Sequence, residues 1–242
     1  MSTGSEATMT ADLSPYLRAT RFIDYDQPSV QAFAERVCAP LAGAGAREKA
    51  VQLYYAVRDE IRYDPYDLSI VPDALRASGV ITKGVGYCVT KAVVLTAVAR
   101  QQGIPSRLGF ADVRNHLSTK RLRQVMETDV FFYHGFTELF LEGRWVKATP
   151  AFNLALCRRF QVKPLEFDGI NDSIFHECNA VGQKHLEYLR EHGSFADLPH
   201  EQLFAAYRHH YPALFRLLEK TASFDFHEEA EQERRRSRPS RW

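Results

Sequence analysis

A cysteine stands at the start of the most apolar segment of the chain. From Cys88 the sequence reads CVTKAVVLTAVARQQG, which would be apolar on nearly every side of a helix. Such a helix belongs in the centre of a fold. The N–H groups of its first turn would favour the thiolate of Cys88 and could hold the oxyanion of a tetrahedral intermediate. The position predicts a nucleophile with a lowered pKa, although most free cysteines are simply small buried hydrophobes.

Two motifs resemble a known family in the same order along the chain. The residues GYC at 86–88, followed by GIPSR at 103–107, resemble the cysteine segment of the transglutaminase-like superfamily. The run HGFTELFLEGRWV at 134–146 is similar to the histidine hairpin of that superfamily. The resemblance extends from about Ser29 to Asn153. It implies a papain-related enzyme with Cys88 as nucleophile and His134 as its base; without it, His134 would be interpreted as a core histidine on a strand.

The third catalytic residue departs from the family pattern. The superfamily usually carries W-V-x-x-D-P after the histidine, whereas this chain has WVKATP at 145–150, which puts Thr149 in place of the acid. Threonine accepts a hydrogen bond but stabilises an imidazolium poorly compared with a carboxylate. In an antiparallel meander, Asp112 at the end of the preceding strand would flank His134 from the side opposite Thr149. We therefore expect Asp112 to orient the imidazole.

Other polar residues are weaker candidates. Asp168 and Asp172 lie in a loop and are the remaining alternatives for the acid, and His116 is close enough to Asp112 in sequence to line the cleft. The other histidines lack metal-ligand spacing, so neither a metal nor a cofactor is predicted. The cysteines form no C-x-x-C pair, which favours free thiols in a reducing cytoplasm; they are Cys38, Cys88, Cys157 and Cys178.

The periodicity of apolar residues predicts an α+β fold of the transglutaminase-like or papain-like type. N-terminal helices come first, a central helix that carries the cysteine packs on an antiparallel β meander, and further helices follow. The first predicted helix begins at Pro28, and a second spans about 47–61. A short turn follows at 72–79, and the central helix runs from Cys88 to just before Gly103. Two more helices are predicted at 183–192 and about 203–218. The predicted strands are 107–113, 130–141 and 144–148, the last two joined at Glu142-Gly143.

The composition is that of an ordinary globular protein. The chain has 242 residues and a net charge of +1, so there is no electrostatic case for nucleic acid or an anionic membrane. No apolar run is long enough to span a membrane, and the first residues lack a secretory signal, so a cytoplasmic location is expected. We predict an N-terminal extension at 1–25, one domain at 26–222 and a charged, disordered tail at 223–242. The oligomeric state is not predicted.

The predicted chemistry is acyl transfer through a thioester on Cys88. Hydrolysis of an amide in a peptide-like substrate is the first choice, and cross-linking of glutamine to lysine is an alternative. The order Cys88, Asp112, His134 is also similar to that of bacterial Dieckmann cyclases, which would take a carrier-bound thioester and close a ring. A non-catalytic binding module on a decayed fold is the alternative of another class, and thiol labelling separates it from an enzyme.

Overall fold

The computed structural model describes residues 12–69, 71–115, 118–174, 186–218, 230–232 and 234–235. His116, the first eleven residues and most of the predicted tail lie outside these ranges. The helices are α1 (Pro28–Cys38), α2 (Ala46–Glu60), α3 (Ala77–Lys83), α4 (Cys88–Gln101), α5 (Lys120–Met126), α6 (Leu154–Phe160), α7 (His200–His210) and α8 (Pro212–Leu218). The strands are β1 (Arg62–Tyr63), β2 (Val85–Gly86), β3 (Ser106–Asn115), β4 (Val130–Leu141), β5 (Arg144–Ala148) and β6 (Leu186–Phe195).

Helix α4 is the centre of the fold, as its apolar sequence predicts. Every residue from Cys88 to Arg100 is buried, with α1, α2 and α3 packed on one side and β3 and β4 on the other. Its charged residues are satisfied by backbone carbonyls, as buried charges must be. Lys91 Nζ donates to the carbonyls of Arg58 (2.8 Å) and Ile61 (2.6 Å). Lys91 thereby ties α4 to the C-terminal end of α2.

The main sheet has the antiparallel strand order β5-β4-β3-β6. Ala111 lies opposite His134, and Thr137 lies opposite Ala148, so the histidine hairpin is paired as predicted. A second, short sheet joins β1 and β2 in parallel and leads directly into α4. Helices on one face of a mainly antiparallel sheet confirm the predicted α+β class.

Three predictions of local structure are wrong. The predicted helix at 183–192 is instead strand β6 over 186–195, because pairing with β3 overrides a short and ambiguous apolar pattern. The predicted final helix is divided between α7 and α8 at Pro212, whose ring nitrogen cannot continue the hydrogen-bond ladder. The turn expected to end at Gly79 continues as helix α3 to Lys83.

Both ends of the described chain contact the domain. Phe22 and Ile23, within the predicted N-terminal extension, are buried in the core. Asp24 accepts hydrogen bonds from Arg76 and from Ser78. Within the predicted tail, residues 230–232 and 234–235 are helical. Among the described helices, none has the length and apolar character needed to cross a membrane.

Candidate active site

The position of Cys88 is fixed by the start of α4. Cys88 is the first residue of the helix, and Tyr87 precedes it as the N-cap in an extended conformation. The amide of Tyr87 donates to Thr90 Oγ1 at 3.0 Å, so the first turn closes on a side chain of the helix itself. The β1–β2 pair holds the preceding residue, Gly86, against Tyr63. The thiol therefore lies where the unused N–H groups of α4 converge.

Burial controls the protonation of the Cys88 thiol. Only 4% of Cys88 is exposed, and burial raises its pKa to about 11. Three backbone N–H groups lower the pKa, those of Gly135, Val89 and Cys88 itself, but the effect of burial is larger. The expectation of a lowered thiol pKa is therefore wrong for this closed arrangement, because the helix start is covered by other elements.

His134 is neutral for the same reason. It lies on β4, 3% of its surface is exposed, and burial lowers its pKa to about 4. Near pH 7 the site thus holds a neutral thiol and a neutral imidazole. A neutral imidazole is the form that can accept a proton.

Gly135 allows β4 to lie directly against the start of α4. A Cβ atom at this position would stand 2.8 Å from the Cα atom of Val89, closer than real Cβ contacts permit. His134 precedes Gly135 on β4, and Cys88 precedes Val89 on α4. Both line one pocket, so the structure brings the two predicted residues together.

The pocket is narrow and apolar. Its cavity volume is about 30 Å³, more than the roughly 10–15 Å³ that one water molecule needs. Neither carboxylates nor Lys or Arg side chains are among the described residues that line it. The described residues that line it are Tyr63, Pro65, Leu68, Tyr87, Cys88, Met126, Phe131, Phe132, His134, Tyr207, Tyr211 and Leu214. The polar groups of this lining are the imidazole of His134 and the hydroxyls of four tyrosines, so it offers no cation to a charged ligand.

Helices α7 and α8 cover the pocket with Tyr207, Tyr211 and Leu214. The hydroxyl of Tyr211 accepts the amide of Phe132 and donates to the carbonyl of Val130 (3.1 Å), which ties the α7–α8 junction to β4. Burial raises the pKa of Tyr211 well above its usual range, so this hydroxyl stays protonated. A helix over this segment was predicted from the sequence, but its position over the site was not.

Asp112 is buried beside His134 in the sheet. Its Oδ1 atom accepts the backbone amide of Tyr133 at 3.0 Å and lies 2.7 Å from Nε2 of His192. Within the described residues, the hydrogen bonds of Asp112 thus go to the residue before His134 and to a histidine on β6. His192 was not predicted as a site residue because a helix was predicted for its segment.

The other predicted candidates have separate positions. Thr149 directly follows β5 and is 1% exposed, and its Oγ1 atom has no hydrogen-bond partner in the described part of the chain. Its carbonyl accepts the hydroxyl of Tyr54 at 3.2 Å. Asp168 and Asp172 are exposed and order their own loop: Asp168 accepts the amides of residues 170 and 171, and Asp172 accepts the amide of Lys147. Neither aspartate lines the pocket.

Metal-ligating side chains do not gather elsewhere in the described ranges. No group of three His, Cys, Asp or Glu residues there has an arrangement that could hold a metal ion. Cys38 and Cys157 are buried free thiols outside the pocket, and Cys178 lies outside the described residues. Among the cysteines that the structure describes, Cys88 alone lies beside a histidine in a cavity.

A family model matches the part of the chain that contains these residues. Residues 31–150 match the model of the transglutaminase-like superfamily, and the matched segment includes Cys88, Asp112, His134 and Thr149. No curated protein matches the sequence.

Two solved structures are similar to the chain. One, from Cytophaga hutchinsonii, is described as a candidate cysteine protease; it is 15% identical over 80% of this chain and 57% of its own, with a TM-score of 0.46. The other, from Parabacteroides distasonis, is described as a candidate protease; it is 13% identical over 59% of this chain and 27% of its own, with a TM-score of 0.37. This chain therefore spans only part of the length of either neighbour.

Proposed function

We propose, from the premise that this chain belongs to the transglutaminase-like superfamily, that it is an enzyme in which Cys88 and His134 catalyse acyl transfer. One observation carries the proposal: a cysteine at the start of a buried helix and a strand histidine line the same cavity. Superfamily membership alone would also fit a non-catalytic binding module. A module would have no need to keep a thiol and an imidazole together in an apolar pocket.

The proposed reaction begins with a neutral pair. As the sulfur of Cys88 forms a bond to the substrate carbonyl, its proton passes to His134, and the C=O electron pair moves to oxygen. Backbone amides around the sulfur, including those of Cys88 and Gly135, are the available donors for that oxyanion. His134 then gives its proton to the leaving amine as the C–N bond breaks. A thioester on Cys88 results, and water attacks it to release the acid and the free thiol.

The lining of the pocket supports an uncharged substrate group. Because the described lining residues include neither Lys nor Arg, and their polar groups are the imidazole of His134 and four tyrosine hydroxyls, a charged acyl group would lose its hydration with no cation to compensate. We therefore propose hydrolysis of an amide in a peptide-like substrate that presents an apolar group next to the scissile carbonyl. Asp112 and Thr149 are proposed as residues that support His134.

One observation favours a second candidate. The described lining offers few polar groups to hold a hydrolytic water, since apart from His134 these are tyrosine hydroxyls, and that of Tyr211 is already bonded to β4. A nucleophile carried by the substrate itself would then resolve the thioester, as in a Dieckmann-type cyclase acting on a carrier-bound thioester. Transfer to a separate amine would need a second substrate groove.

Intact-mass spectrometry after exposure to acyl donors tests the proposal. Donors with acetyl, butyryl and benzoyl groups should leave one acyl group per chain, mapped to Cys88, whereas a succinyl donor should react at least about tenfold more slowly because its charge must be desolvated. Cys88→Ala should abolish the adduct, and the buried cysteine variants Cys38→Ala and Cys157→Ala should retain it. An adduct that persists in Cys88→Ala would overturn the proposal.

The released product separates the two candidates. Hydrolysis produces the free acid, which contains the elements of one water molecule, whereas cyclisation releases a ring that lacks the carrier thiol and has gained no water. Mass analysis of the product from an amide and from a carrier thioester of the same acyl chain decides between them. If both substrates give only the free acid as product, the cyclase is excluded.

A further inference from the structure

Three neighbouring strands are irregular at the position of Asp112. On β4, Phe132 and Tyr133 together lie opposite the single residue Asp112. On β6, His192 is an extra residue between the partners of consecutive β3 residues. Such bulges bend a strand and redirect the side chains beside them, and they are frequent next to active sites. A second extra residue on β6, Leu189, follows between the partners of Asp112 and Val113. Oδ1 of Asp112 contacts groups at the first two bulges, the Tyr133 amide and Nε2 of His192.

Tyr133 has an unfavourable backbone conformation immediately before His134. Its φ angle is 55°, in the left-handed region that a side chain such as tyrosine rarely adopts. A conformation of this kind costs about 1–3 kcal/mol and persists only where neighbouring groups enforce it. Two groups do so here.

Asp112 and His192 together hold Tyr133. Oδ1 of Asp112 accepts the Tyr133 amide at 3.0 Å, and the His192 ring stacks on the Tyr133 ring with centroids 3.9 Å apart and planes 13° from parallel. Nε2 of His192 in turn contacts the same Oδ1 atom at 2.7 Å. Asp112 and His192 therefore contact both the backbone and the side chain of Tyr133, whose ring also packs against Phe110 at 5.9 Å.

We infer that Asp112 and His192 are positioning residues, which aim His134 at Cys88 by holding the bulge at Tyr133. This inference rests on the proposed function of the Cys88 site and adds His192 to it. Neither residue of the pair lines the pocket, so neither needs to touch the substrate. The role of Asp112 is then to accept a backbone hydrogen bond, and its negative charge is secondary.

Substitutions at Asp112 distinguish this role from direct electrostatic support of the imidazole. Asp112→Asn keeps an oxygen that can accept the Tyr133 amide, so kcat should stay within about threefold of wild type. Asp112→Ala loses the acceptor, and kcat should fall by about tenfold or more with KM within twofold, because small displacements of a catalytic group are costly. If the charge mattered directly, Asp112→Asn would instead lose about a hundredfold or more.

A second variant keeps the inference testable if Asp112→Ala does not fold. His192→Ala, on the edge strand β6, removes the stacking and should lower kcat by about threefold to tenfold without raising KM. Glu191→Ala, the exposed neighbour on the same strand, is the control and should leave kcat unchanged. The acyl adduct on Cys88 should still form in every variant, only more slowly.

Two results would overturn the inference while leaving the nucleophile intact. One is wild-type kcat in both Asp112→Ala and His192→Ala. The other is equal loss of kcat in Asp112→Asn and Asp112→Ala, which would show that the carboxylate charge acts on the imidazole. Loss of the acyl adduct in Cys88→Ala is independent of both results and concerns the proposed function alone.

Discussion

Cys88 and His134 are shielded from water, and this shielding decides their charge. Burial raises the thiol pKa to about 11 and lowers the imidazole pKa to about 4, so a thiolate–imidazolium pair is disfavoured in the closed site. The proton must then move as the sulfur attacks, or the pair must gain solvation when substrate enters. Both routes require the two side chains to be aligned beforehand.

The alignment depends on Gly135, which gives the first prediction. In Gly135→Ala the new methyl group would press on the backbone of Val89, 2.8 Å away, and a helix backbone cannot move aside as a flexible side chain can. The variant should lose about 1–3 kcal/mol of stability, and kcat should fall by about tenfold or more as His134 moves away from Cys88. Steady-state kinetics and urea denaturation measure the two effects.

Gly143→Ala is the control for that prediction. Gly143 lies in the β4–β5 turn with a φ of 84°, and a Cβ atom there would meet nothing within 4 Å. The substitution should cost about 1 kcal/mol through backbone strain alone, with kcat unchanged. Equal loss of kcat in both variants would mean that stability, and not the approach of β4 to α4, limits the activity.

Among the elements, those that carry Cys88 and His134 were predicted, and strand β6 was not. Helix α4 and the β4–β5 hairpin are specified by local patterns: an apolar run after a glycine-rich approach and two alternating segments around a tight turn. Strand β6 depends on pairing with β3, about eighty residues away, and no local signal reports that contact. His192 was therefore missed together with its strand.

Helices α7 and α8 cover the pocket, and we predict that they limit access to Cys88. Leu214 is buried at 2% exposure on α8 and lines the pocket, so Leu214→Ala should widen the access to Cys88. It should also cost about 2–5 kcal/mol, as is usual for a buried leucine. Labelling of Cys88 by a bulky maleimide should accelerate more than labelling by iodoacetamide, because only the bulky reagent is limited by the opening.

Phe215→Ala distinguishes a wider opening of the pocket from a general loss of packing around α8. Phe215 is on the same helix, packs against Phe204 and does not line the pocket. Its substitution should leave the ratio of the two labelling rates at the wild-type value. If the ratio rises equally in both variants, unfolding of α8 and not the size of the opening controls access to the thiol.

At the scale of the whole molecule, the buried imidazole makes stability depend on pH. In the unfolded chain His134 binds a proton near pH 6.5, whereas in the folded protein it does so only near pH 4. The unfolded state therefore binds more protons between these values, and stability is lost as the pH falls from 6.5 towards 4. The shift corresponds to about 3 kcal/mol.

His134→Gln removes this contribution. Between pH 7 and pH 4, the free energy of unfolding of the variant should fall by about 3 kcal/mol less than that of wild type. Urea titrations at each pH measure the difference. Other histidines with lowered pKa, such as His200, are present in both proteins and cancel in the comparison. Parallel curves for the two proteins would show that His134 is protonated in the folded state well above pH 4.

The central claim is that Cys88 forms a covalent acyl intermediate with His134 as its base. Stopped-flow release of p-nitrophenolate from p-nitrophenyl butyrate tests it directly. Wild-type protein should give a burst of one equivalent per chain before any slower steady state. Cys88→Ala should give no burst, and His134→Gln should give the same amplitude at a rate lower by about a hundredfold or more. A burst of full amplitude in Cys88→Ala, or none in wild type under saturating ester, would contradict the account.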